Sequence, residues 1–131
     1  MLYLDSAAVV KLVHSEPESE TLRAWLADRA ETGWISSVLV EVESFRALAR
    51  HSPGSISRLP PVLDLIEMVE INQSIRTVAQ AVAPATVRSL DAIHLATALR
   101  LGEQLTSFVT YDKRLADAAE GAGLRVDMPA K

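Results

Sequence analysis

Three aspartates and a pair of glutamates occupy positions in this chain where a carboxylate has chemical use. Asp5 closes the apolar run Leu2-Tyr3-Leu4, and Asp112 closes Val109-Thr110-Tyr111. Asp91 lies within Leu90-Asp91-Ala92-Ile93-His94-Leu95-Ala96-Thr97-Ala98-Leu99, a stretch that is apolar or small on nearly every face of a helix and so suited to burial. Burying an ionised carboxylate is costly unless a cation meets it, and a helix N-terminus offsets only a few tenths to about 1 kcal/mol. Glu41 and Glu43 share one helical segment, and at about 100° per residue they point about 200° apart, so only one can face a given site. Spacing leaves that choice open.

Each acid also has a plainer explanation. Asp5 and Asp112 both precede expected helices, where an aspartate oxygen caps the first free N–H groups. A glutamate on a helix is ordinarily solvated. His94, three residues after Asp91 and on nearly the same helical face, is expected as hydrogen-bonded structure rather than as a ligand. An otherwise all-oxygen donor set suits Mg²⁺ or Mn²⁺ better than zinc. Trp25, Trp34 and Phe45 are expected in the core rather than as platforms for stacking bases.

Several classes drop out. The chain has no cysteine, which removes disulfides, Cys-ligated zinc and thiol nucleophiles. Its five glycines are too scattered for a phosphate cradle, and no Walker, dinucleotide-binding, nucleophile-elbow or zincin motif occurs. With 131 residues, 49% apolar and 23% charged, one domain spanning 1–131 is expected, large enough for a core without staples. Asp5 and Lys11 interrupt the N-terminal apolar segment, and no run of about 18 apolar residues follows, so a cytoplasmic protein without membrane contact is expected.

These acids need elements to position them. Residues 2–4 read as a strand running into a helix over 7–13, and Ser15-Glu16-Pro17-Glu18 reads as a capping box for a helix over about 17–30. A strand at 34–36 precedes a helix whose apolar stripe is Val38, Val42, Phe45 and Ala49, ended by Ser52-Pro53-Gly54. Helices are expected over 59–67, 74–83, 90–101 and 113–120, and strands over 68–71, 107–109 and 124–126. Gly121 and Gly123 mark a helix end. Strands alternating with helices imply an α/β fold with a mainly parallel sheet and a site beyond the carboxyl ends of its strands.

In order and spacing, Leu2-Tyr3-Leu4-Asp5-Ser6-Ala7-Ala8, Ile35 to Leu48, Ser89 to Leu99 and Phe108 to Leu115 closely resemble PIN-domain proteins of the VapC toxin type. The resemblance covers almost the whole chain. It implies a three-layer sandwich, a short mainly parallel sheet with helices on both faces, and an acidic pocket that holds Mg²⁺ or Mn²⁺ for cleaving RNA. Carried over by position, the pocket acids are Asp5, Glu43, Asp91 and Asp112, with Ser6 and Thr110 as polar support. Glu43 is preferred to Glu41 because the family's acid stands three residues before Arg-Ala-Leu, here Arg46-Ala47-Leu48. Ser6 stands where many members have threonine, and a hydroxyl is kept. The resemblance also implies a VapB-type antitoxin that brings a basic side chain to the acids, and a homodimer.

The net charge of −4 argues against a broad basic surface for nucleic acid, until the site is set aside. The 17 acidic residues less these four leave 13, equal to the 13 Lys and Arg, so the charge belongs to the site. Converging carboxylates repel one another, and a divalent cation turns that repulsion into a place for phosphate. Arg46, Arg100, Lys113 and Arg114 are candidates for backbone phosphate contacts. Two other classes fit less well. An aspartyl-phosphate phosphatase would use Asp5 as nucleophile, but Ala7 stands where such enzymes carry a second aspartate. A silent binding module would not keep four mutually repelling acids.

Overall fold

The computed structural model describes residues 1–130. Five strands, β1 (Leu2–Leu4), β2 (Trp34–Ser37), β3 (Ile66–Val69), β4 (Ser107–Val109) and β5 (Val126–Asp127), form one sheet in the order β3-β2-β1-β4-β5, every pair parallel. Parallel pairing requires a crossover between strands, and helices supply it. They are α1 (Ser6–Val13), α2 (Ser19–Ala27), α3 (Leu39–His51), α4 (Leu59–Leu63), α5 (Gln73–Gln80), α6 (Ser89–Leu99) and α7 (Lys113–Gly121).

Successive strand residues point to opposite faces, and β1 is buried on both. Leu2 and Leu4 join Val9, Leu22, Val40, Leu48 and Val109 in a core beneath α1–α4. Tyr3 joins Ile35, Leu95, Phe108, Leu115 and Ala119 in a second core beneath α6 and α7, and α5 packs on α6. The expected three-layer sandwich is therefore present. α6 is buried through Ala92, His94, Leu95, Ala96, Thr97 and Ala98, as its composition requires. α7 ends as expected: Gly123, at φ 89°, donates to Glu120 O and Leu124 N–H reaches back to Ala119 O at 3.0 Å.

Local signals misplace some boundaries. α2 begins at Ser19 rather than 17 and ends at Ala27 rather than 30. The Ser15 capping box does not form, and the Ser19 hydroxyl instead accepts from Glu16 N–H at 2.8 Å. β3 lies two residues earlier than expected, because Trp34 pairs with Ile66 and Ser37 with Val69. A 3₁₀ segment, Pro53–Arg58, precedes an α4 that stops at Leu63.

The larger correction is the face of α3. The expected stripe of Val42, Phe45 and Ala49 points outward, with Val42 59% and Phe45 49% exposed. Val40, Ser44 and Leu48 are buried instead. That second i, i+4 series includes a serine, which disguises it. Ser44 donates to Val40 O within the helix, so its hydroxyl is satisfied where α3 meets α1. Phe45 is thus not a core residue, whereas Trp25 and Trp34 do pack against the first core.

Candidate active site

β2, β1 and β4 are adjacent and parallel, so Ser37, Asp5 and Thr110 come together where these strands end. Asp5 is 3% exposed. Its Oδ1 caps α1 by accepting Ala8 N–H at 2.9 Å, and its Oδ2 accepts the Thr110 hydroxyl. Thr110 Oγ1 also accepts Asp112 N–H at 3.1 Å, so one hydroxyl links both acidic loops. Asp112 is exposed, and its Oδ1 caps α7 by accepting Arg114 and Leu115 N–H at 2.9 and 3.3 Å. The cap and site explanations thus use different oxygens of the same carboxylates.

Turning Val42 and Phe45 outward carries Glu43 inward. Its Oε1 lies 2.6 Å from His94 Nε2, while Glu41 in the first turn of α3 is exposed. Asp91 stands half-buried in the first turn of α6, whose N-cap position is held by Arg88 rather than by an acid. Burial, and then the charge of Asp112, push the Asp91 carboxyl above the usual carboxylate range. Burial likewise pushes Asp5 up to about 6, against the hydrogen bonds from Thr110 and Ala8, and Glu43 adds to the rise. Asp5 feels Glu43, and Asp91 feels both Glu43 and Asp112, so the four acids form one electrostatic group.

Among the described residues, no three acidic or histidine side chains stand close enough to enclose a metal ion by themselves. Mg²⁺ does not require such a cage, since it keeps several waters and takes one or two carboxylates. Asp112 Oδ2, Glu43 Oε2 and both Asp91 oxygens accept no hydrogen bond from the described residues. An all-oxygen set with free acceptors fits a hard divalent cation.

The remaining sequence candidates separate. Arg114, Asp91 and Asp112 line a cleft of about 750 Å³, walled by Val87 and Leu115 and joined by Arg88. Lys113 is exposed in the first turn of α7, and Arg46 is exposed on α3. Arg100 does not belong with them. It follows the C-terminal end of α6 and donates to Ser74, about 14 Å along the helix from Asp91 by helical rise. Ser6 opens α1 but lines a different, smaller cavity with Lys11 and Tyr111, and it makes no hydrogen bond to the four acids. Sequence reasoning missed Arg88, whose only signal is its place just before α6. It also missed that His94 and Tyr3 touch the site, because their partners lie 51 and 91 residues from His94.

This sheet order and acidic edge define a class. The family model for the PIN domain matches residues 2–121, and the chain belongs to the PIN-domain family. It is 47% identical over 133 residues to Ribonuclease VapC35 of Mycobacterium tuberculosis, covering 100% of this chain and 98% of the relative. Solved structures share the fold. Mycobacterium tuberculosis VapC20, a sarcin-ricin loop cleaving toxin, superposes with a TM-score of 0.76 at 14% identity, over 95% of this chain and 96% of that one. A toxin-antitoxin complex from Klebsiella pneumoniae gives 0.74 at 20% identity, over 100% and 99%.

The environment of Asp5 predicts how stability depends on pH. Its folded pKa of about 6 lies above the ordinary 3.8, so the folded chain binds the proton more tightly than the unfolded one. The resulting stability is fully present below pH ~4 and lost as pH rises through 6, roughly 2 to 3 kcal/mol in all. Asp5→Asn keeps the cap and offers an N–H to Thr110. In EDTA its melting temperature should match or exceed the parent's at pH 7, and the parent should close the gap as pH is lowered to about 4. Differential scanning calorimetry across this range measures both.

Proposed function

We propose that this chain is a divalent-metal-dependent endoribonuclease, the toxin of a VapBC-type toxin-antitoxin module, acting as a single PIN-like unit over residues 1–131. The observation that carries the reading is geometric: the Thr110 hydroxyl joins Asp5 to the Asp112 loop beyond the ends of β1 and β4, where Glu43 on α3 and Asp91 in the first turn of α6 keep oxygens free of hydrogen bonds from the described residues. Full-length similarity to a ribonuclease supports it.

Asp5, Glu43, Asp91 and Asp112 would hold Mg²⁺ or Mn²⁺, Asp5 through the lone pairs that its two hydrogen bonds leave and the others through oxygens that accept no hydrogen bond from the described residues. When bound, such an ion neutralises phosphate charge, polarises a phosphoryl oxygen and acidifies water. Asp5 also orients Thr110, which in turn sets the Asp112 loop. Hydrolysis adds hydroxyl to phosphorus and a proton to the departing 3′ oxygen, leaving 5′-phosphate and 3′-hydroxyl ends. Arg88 and Arg114 in the cleft, with Lys113 nearby, suit the sugar-phosphate backbone of an unpaired strand.

The remaining partners follow from the family reading. A VapB-type antitoxin would place a basic side chain against the four acids, offsetting their repulsion in place of a metal. A second copy of the chain would cover the apolar surface at Val42 and Phe45 on α3. A cytoplasmic location suits an RNA substrate, and among the described residues no helix is long and apolar enough to cross a membrane.

Expression of the chain without antitoxin should arrest growth with RNA cleavage, and EDTA should stop cleavage by the purified protein. Intact total RNA after incubation with Mg²⁺ and Mn²⁺ would overturn the reading. Glu43→Gln should lose at least about a hundredfold in cleavage rate, beyond the 10 to 100-fold typical of groups that merely orient a ligand. Glu41→Gln should cleave at the parent rate in the same gel assay. Phe45→Arg should shift the sedimentation velocity profile from dimer to monomer without lowering the far-ultraviolet circular dichroism of the fold.

A further inference from the structure

His94 is 1% exposed, and neither of its ring nitrogens bonds to backbone. Nε2 lies 2.6 Å from Glu43 Oε1, and Nδ1 lies 2.6 Å from the Tyr3 hydroxyl. Ser37 N–H donates to the Tyr3 hydroxyl oxygen at 3.1 Å, which leaves that hydroxyl's own proton free to meet Nδ1. With Nδ1 accepting, Nε2 is the nitrogen that carries a hydrogen toward Glu43 Oε1. A partner on one ring nitrogen thus decides what the other presents to a carboxylate.

Tyr3 is itself rigidly held. It is fully buried in β1, stacks on Phe108 of β4 with centroids 5.0 Å apart and planes 7° apart, and meets the His94 ring edge-on at 5.8 Å. Glu43 lies at the other extreme, with its side chain 21% exposed on a flexible stem that could otherwise swing to water. One rigid core therefore grips one oxygen of a partly solvated acid. The other oxygen, Oε2, stays free.

We propose that His94 and Tyr3 are positioning residues that hold Glu43 by its Oε1 and so leave Oε2 available to a divalent cation. The ordering of the Glu43 side chain is then completed on folding and is not charged against metal binding. The inference rests on the reading of Glu43 as a site acid given above. It adds two residues that touch neither RNA nor cation and act only through Glu43.

The test compares the full chain with Tyr3→Phe, His94→Leu, His94→Gln and Glu43→Gln. Mn²⁺ binding is measured by calorimetry without RNA, kcat and KM on a cleavable RNA, and melting in EDTA. Tyr3→Phe keeps the stacked ring and removes only the hydroxyl. It should weaken Mn²⁺ binding and lower kcat, each by about 10 to 100-fold, with KM unchanged. His94→Leu should lose at least as much. His94→Gln should recover most of the binding, because its amide N–H can reach Glu43, a rescue that a purely structural role would not give. If His94→Leu fails to fold, Tyr3→Phe decides. Mn²⁺ binding within about twofold of the parent in a folded Tyr3→Phe, while Glu43→Gln loses it, overturns the positioning role and leaves the nuclease reading intact. Equal Mn²⁺ binding by the parent and Glu43→Gln overturns both.

Discussion

A carboxylate almost out of water at the end of the central strand governs this structure. Asp5 is tolerated there because Ala8 N–H and the Thr110 hydroxyl occupy its two oxygens. Those bonds join the start of α1 to the end of β4, which hydrogen-bonds beside β1 in register Leu4 with Val109. Thr110 then accepts Asp112 N–H, so the loop that begins α7 takes its shape from the same hydroxyl. Satisfying one buried charge therefore fixes the relative placement of two acids and two helices. The remaining cost is expressed as a raised pKa, a reserve that a cation can relieve.

The second half of the acidic group is built on the opposite plan. Glu43 and Asp91 come from helices rather than strand ends, and Asp91 is left without a hydrogen-bonding partner among the described residues. Glu43 is gripped by two buried aromatic side chains, by His94 directly and by Tyr3 through it. Tyr3 points away from Leu2 and Leu4 into the second core, and from there reaches His94 and, through it, α3. The sheet thus separates two cores and also transmits position from one to the other. Lys11 shows the same economy on the first side: it is nearly buried, with Glu16 and Glu18 at 3.4 and 3.2 Å and its ammonium over the Tyr111 ring at 4.7 Å.

What could be read in the residues was local in origin. Leu2-Tyr3-Leu4-Asp5 and Val109-Thr110-Tyr111-Asp112 announce strand, acid and helix in sequence, because strand propensity, burial and N-capping act over a few residues. α6 is evident from its composition, and the Schellman end of α7 from Gly123. The order of these pieces along the chain sufficed for the α/β class, and it marked Asp5, Asp91 and Asp112 as candidate acids. The two candidate glutamates were separable only through the family resemblance, since helical geometry says that they diverge and not which one faces inward.

Tertiary structure decided the rest, for reasons that no local pattern contains. α3 carries two competing i, i+4 series, and the larger apolar one lost because packing against α1 favours the narrow Ser44 between Val40 and Leu48. Its rotation exposes Phe45 and delivers Glu43 to His94. Arg100 and Arg88 lie at opposite ends of one helix, and only its placement beneath the sheet edge shows which end meets the acids. The shift of β3 came from pairing with β2. Sequence alone determined which residues carry charge and which elements they terminate, because those properties are local. The direction each side chain faces, and so which carboxylates share a field, was set by contacts between residues up to 105 positions apart.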